Sequence, residues 1–255
     1  MNLPRILIGN RQLPLVLSLL LGLLAAPAMA TVTLSSSGTS GIGSPVSFGA
    51  DLTISGNTLT IHLTNASPGT SLGPNDTLGS FYFDIVNNAN VRPTLTYVSA
   101  AGDVWLTDQN NPDTLQTANA NLMAVVAGDN TWQFKPMNAA LNPFYGFGIG
   151  TVGNNGLSPN NFMGSIVDGF DYSIYKGDVI TANLDGKLLV KDQATFTFSG
   201  LSGFTEADIV HSGAFGLGTA PDSLILAVPE PGTGLLFGLG LFGVLGSVRR
   251  IRRKE

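Results

Sequence analysis

The feature that most constrains the fold is a series of short segments with alternating apolar and polar residues, separated by Gly, Asn and Asp. The clearest lies in residues 51–64, where Leu59, Ile61 and Leu63 alternate with Thr and His after a Gly56-Asn57 turn signal. A period of two places the apolar side chains on one face of a strand. Such segments recur about every 8–12 residues, the spacing typical of all-β sandwiches. We therefore predict an all-β fold, an antiparallel β-sandwich of jelly-roll or immunoglobulin-like type.

Several segments depart from this pattern. Residues 31–47 are rich in Ser, Thr and Gly and predict a flexible leader. Residues 108–117 predict a polar loop, residues 179–184 another strand, and residues 205–210 the one short helix. We find no internal repeat typical of a solenoid or propeller.

Residues 1–30 have the organisation of a secretory signal peptide. Two arginines precede an apolar run over residues 13–24, and small residues stand at Ala28 and Ala30. We expect cleavage before Thr31. An uncleaved anchor is the alternative, although the apolar run is short for a membrane span.

Residues 228–255 contain a proline-bracketed carboxylate, an apolar run and a basic cluster in direct succession. The apolar run, residues 232–248, carries no charge, and as a helix it would reach about 25 Å, near the lower limit for a bilayer core. The basic cluster consists of Arg249, Arg250, Arg252, Arg253 and Lys254. Because cations directly after an apolar run are typical of a stop-transfer segment, we predict a transmembrane helix over residues 232–248 and a basic tail over residues 249–255. A buried core helix is the alternative.

The order of these parts resembles a PEP-CTERM sorting signal. The resemblance rests on Val228-Pro229-Glu230-Pro231, the glycine-rich apolar segment after it and the R-R-x-R-R cluster. It implies that residues 228–231 form the sorting motif recognised by an exosortase, a membrane enzyme of Gram-negative bacteria. It also implies a precursor held in the inner membrane before processing and then released to the cell envelope, surface or matrix.

Residues 31–227 remain as one predicted ectodomain, with a charge of its own. This segment holds five of the chain's Lys and Arg residues and fifteen of its Asp and Glu residues, a net charge of −10. Nucleic acid is therefore not an expected partner, because phosphate binding needs clustered cations. Fourteen of the fifteen acids are Asp, which favours turns. The absence of Cys excludes disulfides and thiolate metal ligands.

One loop region contains four oxygen-bearing side chains that could bind calcium: Asp103, Asp108, Asn110 and Asp113. A second group is Asp168, Asp171 and Asp178. Calcium takes six to eight oxygen ligands, and extracellular sites are often weak. Neither group follows the D-x-D-x-D-G loop, so ordinary turn residues are the alternative, and no other cofactor is expected.

Other candidate residues are isolated. Residues 148–153 fit G-x-G-x-x-G but lead into Asn, Gly and Pro, which cannot open the helix that a dinucleotide site needs. His62 lies on the Thr face of its strand, and His211 lies near Glu206 and Asp208. Trp105, Trp132, Tyr145 and Tyr172 are aromatic side chains that could stack on sugars, although strand aromatics more often pack in a core.

The sequence therefore predicts an exported protein that is a substrate of exosortase rather than an enzyme. We expect a structural or adhesive role linked to exopolysaccharide or biofilm. The first alternative is a carbohydrate-binding or calcium-dependent adhesion module. The second is an envelope hydrolase that uses His211.

Overall fold

The computed structural model describes residues 30–123, 132–137, 145–151, 171–218 and 225–227. The chain divides between Ala30 and Thr31 into two units, and the described residues from Thr31 onward belong to the second. The predicted signal peptide up to residue 29, the sorting motif, the transmembrane segment and the basic tail lie outside the described residues. Among the residues described, no helix has the length and apolar character needed to cross a membrane.

The described residues form twelve strands and two short 3₁₀ helices. The strands are β1 Thr31–Thr39, β2 Pro45–Ser55, β3 Thr58–Asn65, β4 Leu78–Phe83, β5 Thr96–Leu106, β6 Thr114–Asn121, β7 Gln133–Pro136, β8 Phe147–Gly150, β9 Ile174–Tyr175, β10 Leu188–Ser199, β11 Ala214–Leu217 and β12 Ile225–Ala227. The 3₁₀ helices are Pro74–Asp76 and Glu206–Asp208. The prediction of an all-β fold is confirmed.

The strands form one branched sheet in the order β1-β2-β3-β10-β9-β4-β11-β12. Strand β5 adds to β10 and carries β6, while β8 adds to β4 and carries β7. All pairs are antiparallel except β9–β10, which is parallel. The sheet is therefore mixed, which corrects the expectation of purely antiparallel pairing at this one pair.

The predicted hairpin in residues 51–64 is confirmed. Strands β2 and β3 pair in register, with Ile54 opposite Leu59 and Leu52 opposite Ile61. Leu59, Ile61 and Leu63 are fully buried, as their spacing requires. The turn residue Gly56 has φ +59°, a conformation that glycine adopts without the cost of a Cβ clash.

The core is rich in phenylalanine. Phe81 of β4 lies 5.1 Å from Phe215 of β11 and 5.6 Å from Phe83, measured between ring centroids. All six residues of β4 are buried, so both faces of this strand are covered by other parts of the chain. Strand β4 therefore lies at the centre of the domain.

Two predictions for the first half of the chain were wrong. Residues 31–39 are strand β1, not part of a flexible leader, and Val32 and Leu34 alternate with exposed residues and pair with β2. The Ser and Thr content concealed this alternation. The predicted loop at residues 108–117 includes the start of β6, whose residues are exposed except for Ala120. A strand without a buried face shows no apolar period.

Three predictions for the second half also needed correction. Residues 179–184 are a turn region, and Val179 and Leu184 pack with Tyr175 and Leu189 in a separate small cluster. The two strands predicted within residues 188–198 are the single strand β10, interrupted by a register shift. The predicted helix at residues 205–210 is only the 3₁₀ helix Glu206–Asp208.

Candidate functional site

A concave site lies where β5 and β10 depart from regular pairing. The β10–β5 register shifts between Val190 and Ala194, and the β5–β6 register shifts between Gly102 and Val104. A cavity of about 400 Å³ opens at these bulges. Its lining residues are Ala101, Gly102, Asp103, Trp105, Asn119, Lys191, Asp192, Gln193, Ala194 and Thr195. We call this the bulge cavity.

Two lining residues hold the backbone in the left-handed region. Asn119 has φ +49° and Asp192 has φ +64°. Non-glycine residues adopt this region infrequently, and Asn and Asp tolerate it best. The backbone N–H of Asn119 donates to Oδ1 of Asp103 at 2.8 Å, which fixes the β6 edge of the cavity. The rim is therefore set by the fold and by this hydrogen bond.

His62 of β3 positions two polar side chains of the lining. Its Nε2 lies 3.1 Å from Oε1 of Gln193, and its Nδ1 lies 3.0 Å from Oγ1 of Thr195. Because an amide oxygen only accepts, Nε2 carries the proton, and in the neutral ring Nδ1 then accepts from the Thr195 hydroxyl. The amide N–H groups of Gln193 and the lone pairs of Thr195 are left for other partners. Both ring nitrogens of the half-buried His62 therefore have partners on β10.

The charged groups of the cavity are largely paired. Lys191 Nζ lies 2.5 Å from Oδ1 of Asp178 and 4.4 Å from the centroid of the Trp105 ring. Asp192 Oδ1 lies 2.9 Å from Nζ of Lys176. Opposite charges at these distances compensate each other. The lining therefore presents mainly neutral hydrogen-bonding groups beside an indole.

A second polar cluster is buried next to the cavity. The side chain of Asp113 has no exposed surface, and its Oδ2 accepts a hydrogen bond of 2.7 Å from the Tyr175 hydroxyl. Burial, followed by the hydrogen bond and charge of Asp113, raises the pKa of Tyr175 well above its ordinary value. Lys191 Nζ lies 3.9 Å from the same carboxylate. These contacts join β9, β10 and the loop before β6.

The four residues predicted to bind calcium have separate structural roles. Asp103 accepts from the Asn119 N–H, and Asp108 accepts from the N–H groups of Asn110 and Asn111 and from the Asn111 side chain. These bonds, the Asn111 side chain first, lower the pKa of Asp108. Asp113 points inward to Tyr175. Within the described ranges, no group of three or more His, Asp or Glu side chains is arranged to hold a metal. In the second group, Asp178 pairs with Lys191, and Asp168 lies outside the described residues.

The four candidate aromatic residues are placed differently from one another. Trp132 is 1% exposed and Tyr172 is fully buried, so both belong to the core. Tyr145 is half-buried and its hydroxyl donates to the carbonyl of Gly213 at 3.1 Å. Trp105 alone among the four lines the bulge cavity.

The remaining motifs acquire structural roles. Gly148 and Gly150 lie in strand β8, which pairs with β4 and β7, so the glycine pattern begins in a strand and not at a helix. His211 is exposed in a bend. Asp208 caps the second 3₁₀ helix, accepting from the N–H and hydroxyl of Thr205.

Sequence reasoning did not identify Asn119, Asp192, Gln193 and Thr195 as site residues. They come from two segments distant in sequence that the β5–β6 and β10 pairings bring together. The one available signal was Lys191-Asp192-Gln193, a polar interruption between two apolar runs. Such an interruption is compatible with a bulge but equally with a turn between two strands.

Comparisons with known proteins identify the region after β12. Residues 227–253 match the PEP-CTERM protein-sorting motif. A search of curated proteins found no match. One solved structure, the KRT10-binding region domain of the pneumococcal serine rich repeat protein PsrP, aligns with 74% of this chain and 86% of its own at 13% identity, with a TM-score of 0.27. That score is too low to support an argument about fold or function.

The match to the sorting motif begins where strand β12 ends. Ala227 is the last residue of β12 and the first residue of the motif match. It is paired with Ala214 of β11. The motif implies an exported, membrane-anchored precursor that exosortase processes. The chain is therefore a PEP-CTERM sorting motif-containing protein.

Proposed function

We propose that this protein is a structural or adhesive component of the cell envelope or extracellular matrix, linked to exopolysaccharide or biofilm. In this proposal it is a substrate of exosortase and not itself an enzyme. A signal peptide over residues 1–30 directs export, and the segment 232–248 holds the precursor in the inner membrane. The observation that carries the proposal is the match of residues 227–253 to the sorting motif.

The fold supports a passive, durable ectodomain. We propose that residues 31–227 form a β-sandwich, and the burial of every residue of β4 supports this, because a strand covered on both faces lies between two layers. A packed core of Phe side chains stabilises such a domain without disulfides. The net charge of −10 is compatible with a hydrated matrix.

The test is intact mass spectrometry of the protein from membrane, surface and medium fractions of its native cells, with and without the exosortase. We expect a species that begins at Thr31 and ends near Pro229–Pro231 when the enzyme is present. Its loss in cells without exosortase would support the proposal. Glu230→Ala should also abolish this species, even in cells that contain exosortase. Glu206→Ala is the matched control and should be processed normally.

A mature species that keeps residues 249–255 in both strains would contradict the proposal. The tail would then be a permanent anchor. A species that keeps residues 1–30 would contradict the cleavage before Thr31 separately, because the two ends are read from the same mass measurement.

A further inference from the structure

We propose that the bulge cavity binds a neutral sugar residue. The inference deepens the proposed adhesive role and rests on it for the source of the ligand, an extracellular polysaccharide. A volume of about 400 Å³ lies within the range of small-molecule sites, which is roughly 300–1,000 Å³.

The lining offers hydrogen-bond donors and acceptors side by side. Gln193 presents amide N–H groups, Thr195 presents oxygen lone pairs, and the Asp103 carboxylate keeps one oxygen beyond its bond to Asn119. A hydroxyl group both donates and accepts. A ligand with hydroxyls on adjacent carbons therefore matches this mixture of groups better than one with donors or acceptors alone.

The lining also has apolar surface for the C–H groups of a sugar ring. Ala101 contributes a methyl group and the Trp105 indole a ring to the lining, and Gly102 has no side chain, whereas the Ala194 side chain is buried in the core. Lys191 lies against the indole at 4.4 Å from its centroid, so the sugar would contact the remaining exposed part of the ring. Aromatic and small apolar surface next to polar groups is the usual composition of a specific ligand site.

Charge favours a neutral ligand over an anionic one. Lys191 pairs with Asp178, and Asp192 pairs with Lys176. An anionic ligand would have to replace one of these contacts, at the cost of a charge left without its partner. A sugar hydroxyl needs no such exchange. The Asp103 carboxylate has no cation partner among the described residues and is the acceptor that a sugar hydroxyl or a cation could use, so the test includes a cation.

The site is organised before binding. His62 holds Gln193 and Thr195, and the Asp103–Asn119 bond holds the β6 edge. These side chains therefore lose little conformational freedom when a ligand binds. A half-open site for one sugar residue is nevertheless expected to be weak, with a Kd on the order of 1 mM, and a polysaccharide would gain from repeated contacts.

The two tryptophans provide a direct test. The full chain is labelled with 5-fluorotryptophan, kept in a detergent without a sugar headgroup, and followed by ¹⁹F NMR. Trp105 lines the cavity, whereas Trp132 is 1% exposed in the core. Methyl glucoside, methyl galactoside, methyl mannoside and N-acetylglucosamine are titrated to concentrations on the order of 10 mM. We expect a saturable shift of the Trp105 signal with at least one of them, while the Trp132 signal stays constant and reports an intact core.

Matched variants connect the response to the cavity. Asn119→Gly removes the side-chain amide of Asn119, and glycine can keep the positive φ at this position. Gln193→Ala removes the side-chain amide of Gln193. Each should weaken binding roughly tenfold, the effect of losing one hydrogen bond of about 1.4 kcal/mol. Asn90→Gly is the control, because Asn90 also has a positive φ, +58°, but is not part of the lining.

Three results would overturn the inference. The first is no shift of the Trp105 signal with any sugar, and the second is sugar binding by Asn119→Gly and Gln193→Ala that is as tight as that of the unchanged protein. The third is a shift when the cation ethylammonium is titrated in place of the sugars, without a shift when the sugars are titrated. None of them would alter the masses of the processed protein. Failure of sugar binding is therefore distinguishable from failure of the sorting proposal.

Discussion

The Tyr175 hydroxyl donates a hydrogen bond of 2.7 Å to Oδ2 of Asp113, and both residues are buried. The same carboxylate accepts from the backbone N–H of Val179 and of Asp108. The Asp113 side chain thus connects the β5–β6 loop, in which it lies, to β9 and to the loop that follows β9. A buried carboxylate is tolerated where it is supplied with donors in this way.

Tyr175→Phe should therefore destabilise the protein by about 2 kcal/mol, because hydrogen bonds to charged groups contribute roughly 1.5–3 kcal/mol. The measurement is the free energy of unfolding in urea, followed by tryptophan fluorescence. Tyr145→Phe is the matched control: its hydroxyl meets a neutral carbonyl from a half-buried position, and the expected loss is about 1 kcal/mol or less. If both variants lost the same free energy of unfolding, the hydrogen bond to Asp113 would contribute no more than the hydrogen bond to the Gly213 carbonyl.

Stability should also fall at alkaline pH. Burial raises the pKa of Tyr97, of Tyr145 and, with Asp113, of Tyr175. The folded state keeps these protons while the unfolded state loses them above about pH 10. The stabilisation is therefore complete below pH 10 and is lost as pH rises beyond it.

The check is a series of urea unfolding curves between pH 9 and the alkaline limit of folding. Tyr175→Phe should make the decline above about pH 10 shallower by up to about 1.4 kcal/mol per pH unit, the linkage value for one proton. An unchanged slope in this variant, or ionisation of all tyrosines in the folded protein near pH 10 by ultraviolet absorbance, would argue against the assigned cause.

Arg92 forms a two-point ion pair with the buried Asp84. Its Nε lies 2.8 Å from Oδ1 and its Nη2 lies 2.6 Å from Oδ2. The hydrogen bond and charge of Asp84 raise the pKa of Arg92. Arg92→Met should cost about 3 kcal/mol in unfolding free energy, because it leaves a buried carboxylate without its cation.

Lys176→Met supplies the comparison. The Lys176–Asp192 pair is of similar length, 2.9 Å, but both side chains are well exposed. Exposed pairs contribute about 0–1 kcal/mol. Differential scanning calorimetry should therefore show a clear drop in Tm for Arg92→Met and little change for Lys176→Met, and a similar drop for both would mean that burial of Asp84 does not determine the cost.

The sequence predicts this fold best where one face of a strand is buried. Leu59, Ile61 and Leu63 show the period of two directly, and their strand and turn were predicted correctly. Strand β6 is exposed at every position except Ala120, so its existence depends on pairing with β5 and not on a buried face of its own. Such pairing depends on the partner strand and leaves little signal in the strand's own sequence.

The site was harder to predict for a related reason. Asp103 and Asp113 were predicted as calcium ligands because they are close in sequence. In the fold, Asp103 lies at the cavity rim, whereas the Asp113 side chain points into the interior. Gln193 and His62 meet across two paired strands although 131 residues separate them. Residue type and spacing suggest chemistry, but only the register of β3 and β10 brings these side chains together.

Two glycines with positive φ allow a test of how strand β10 ends. Gly56 has φ +59° and an added Cβ would meet nothing within 4 Å, whereas Gly200, directly after β10, has φ +104° and an added Cβ would collide with the carbonyl oxygen of Thr94. Gly56→Ala should cost about 1–2 kcal/mol for the left-handed conformation alone.

Gly200→Ala should cost at least about 2 kcal/mol more than that, because backbone must also move. The segment before β5 is held against Gly200 by the β5–β10 pairing, in which Tyr97 opposes Phe198 at a register shift. Urea unfolding of both variants measures the difference. If the two losses of unfolding free energy were equal, the backbone near Thr94 would be able to move away without disturbing the Tyr97–Phe198 contact. The register of β5 would then be determined further along the strand, at the bulges that form the cavity.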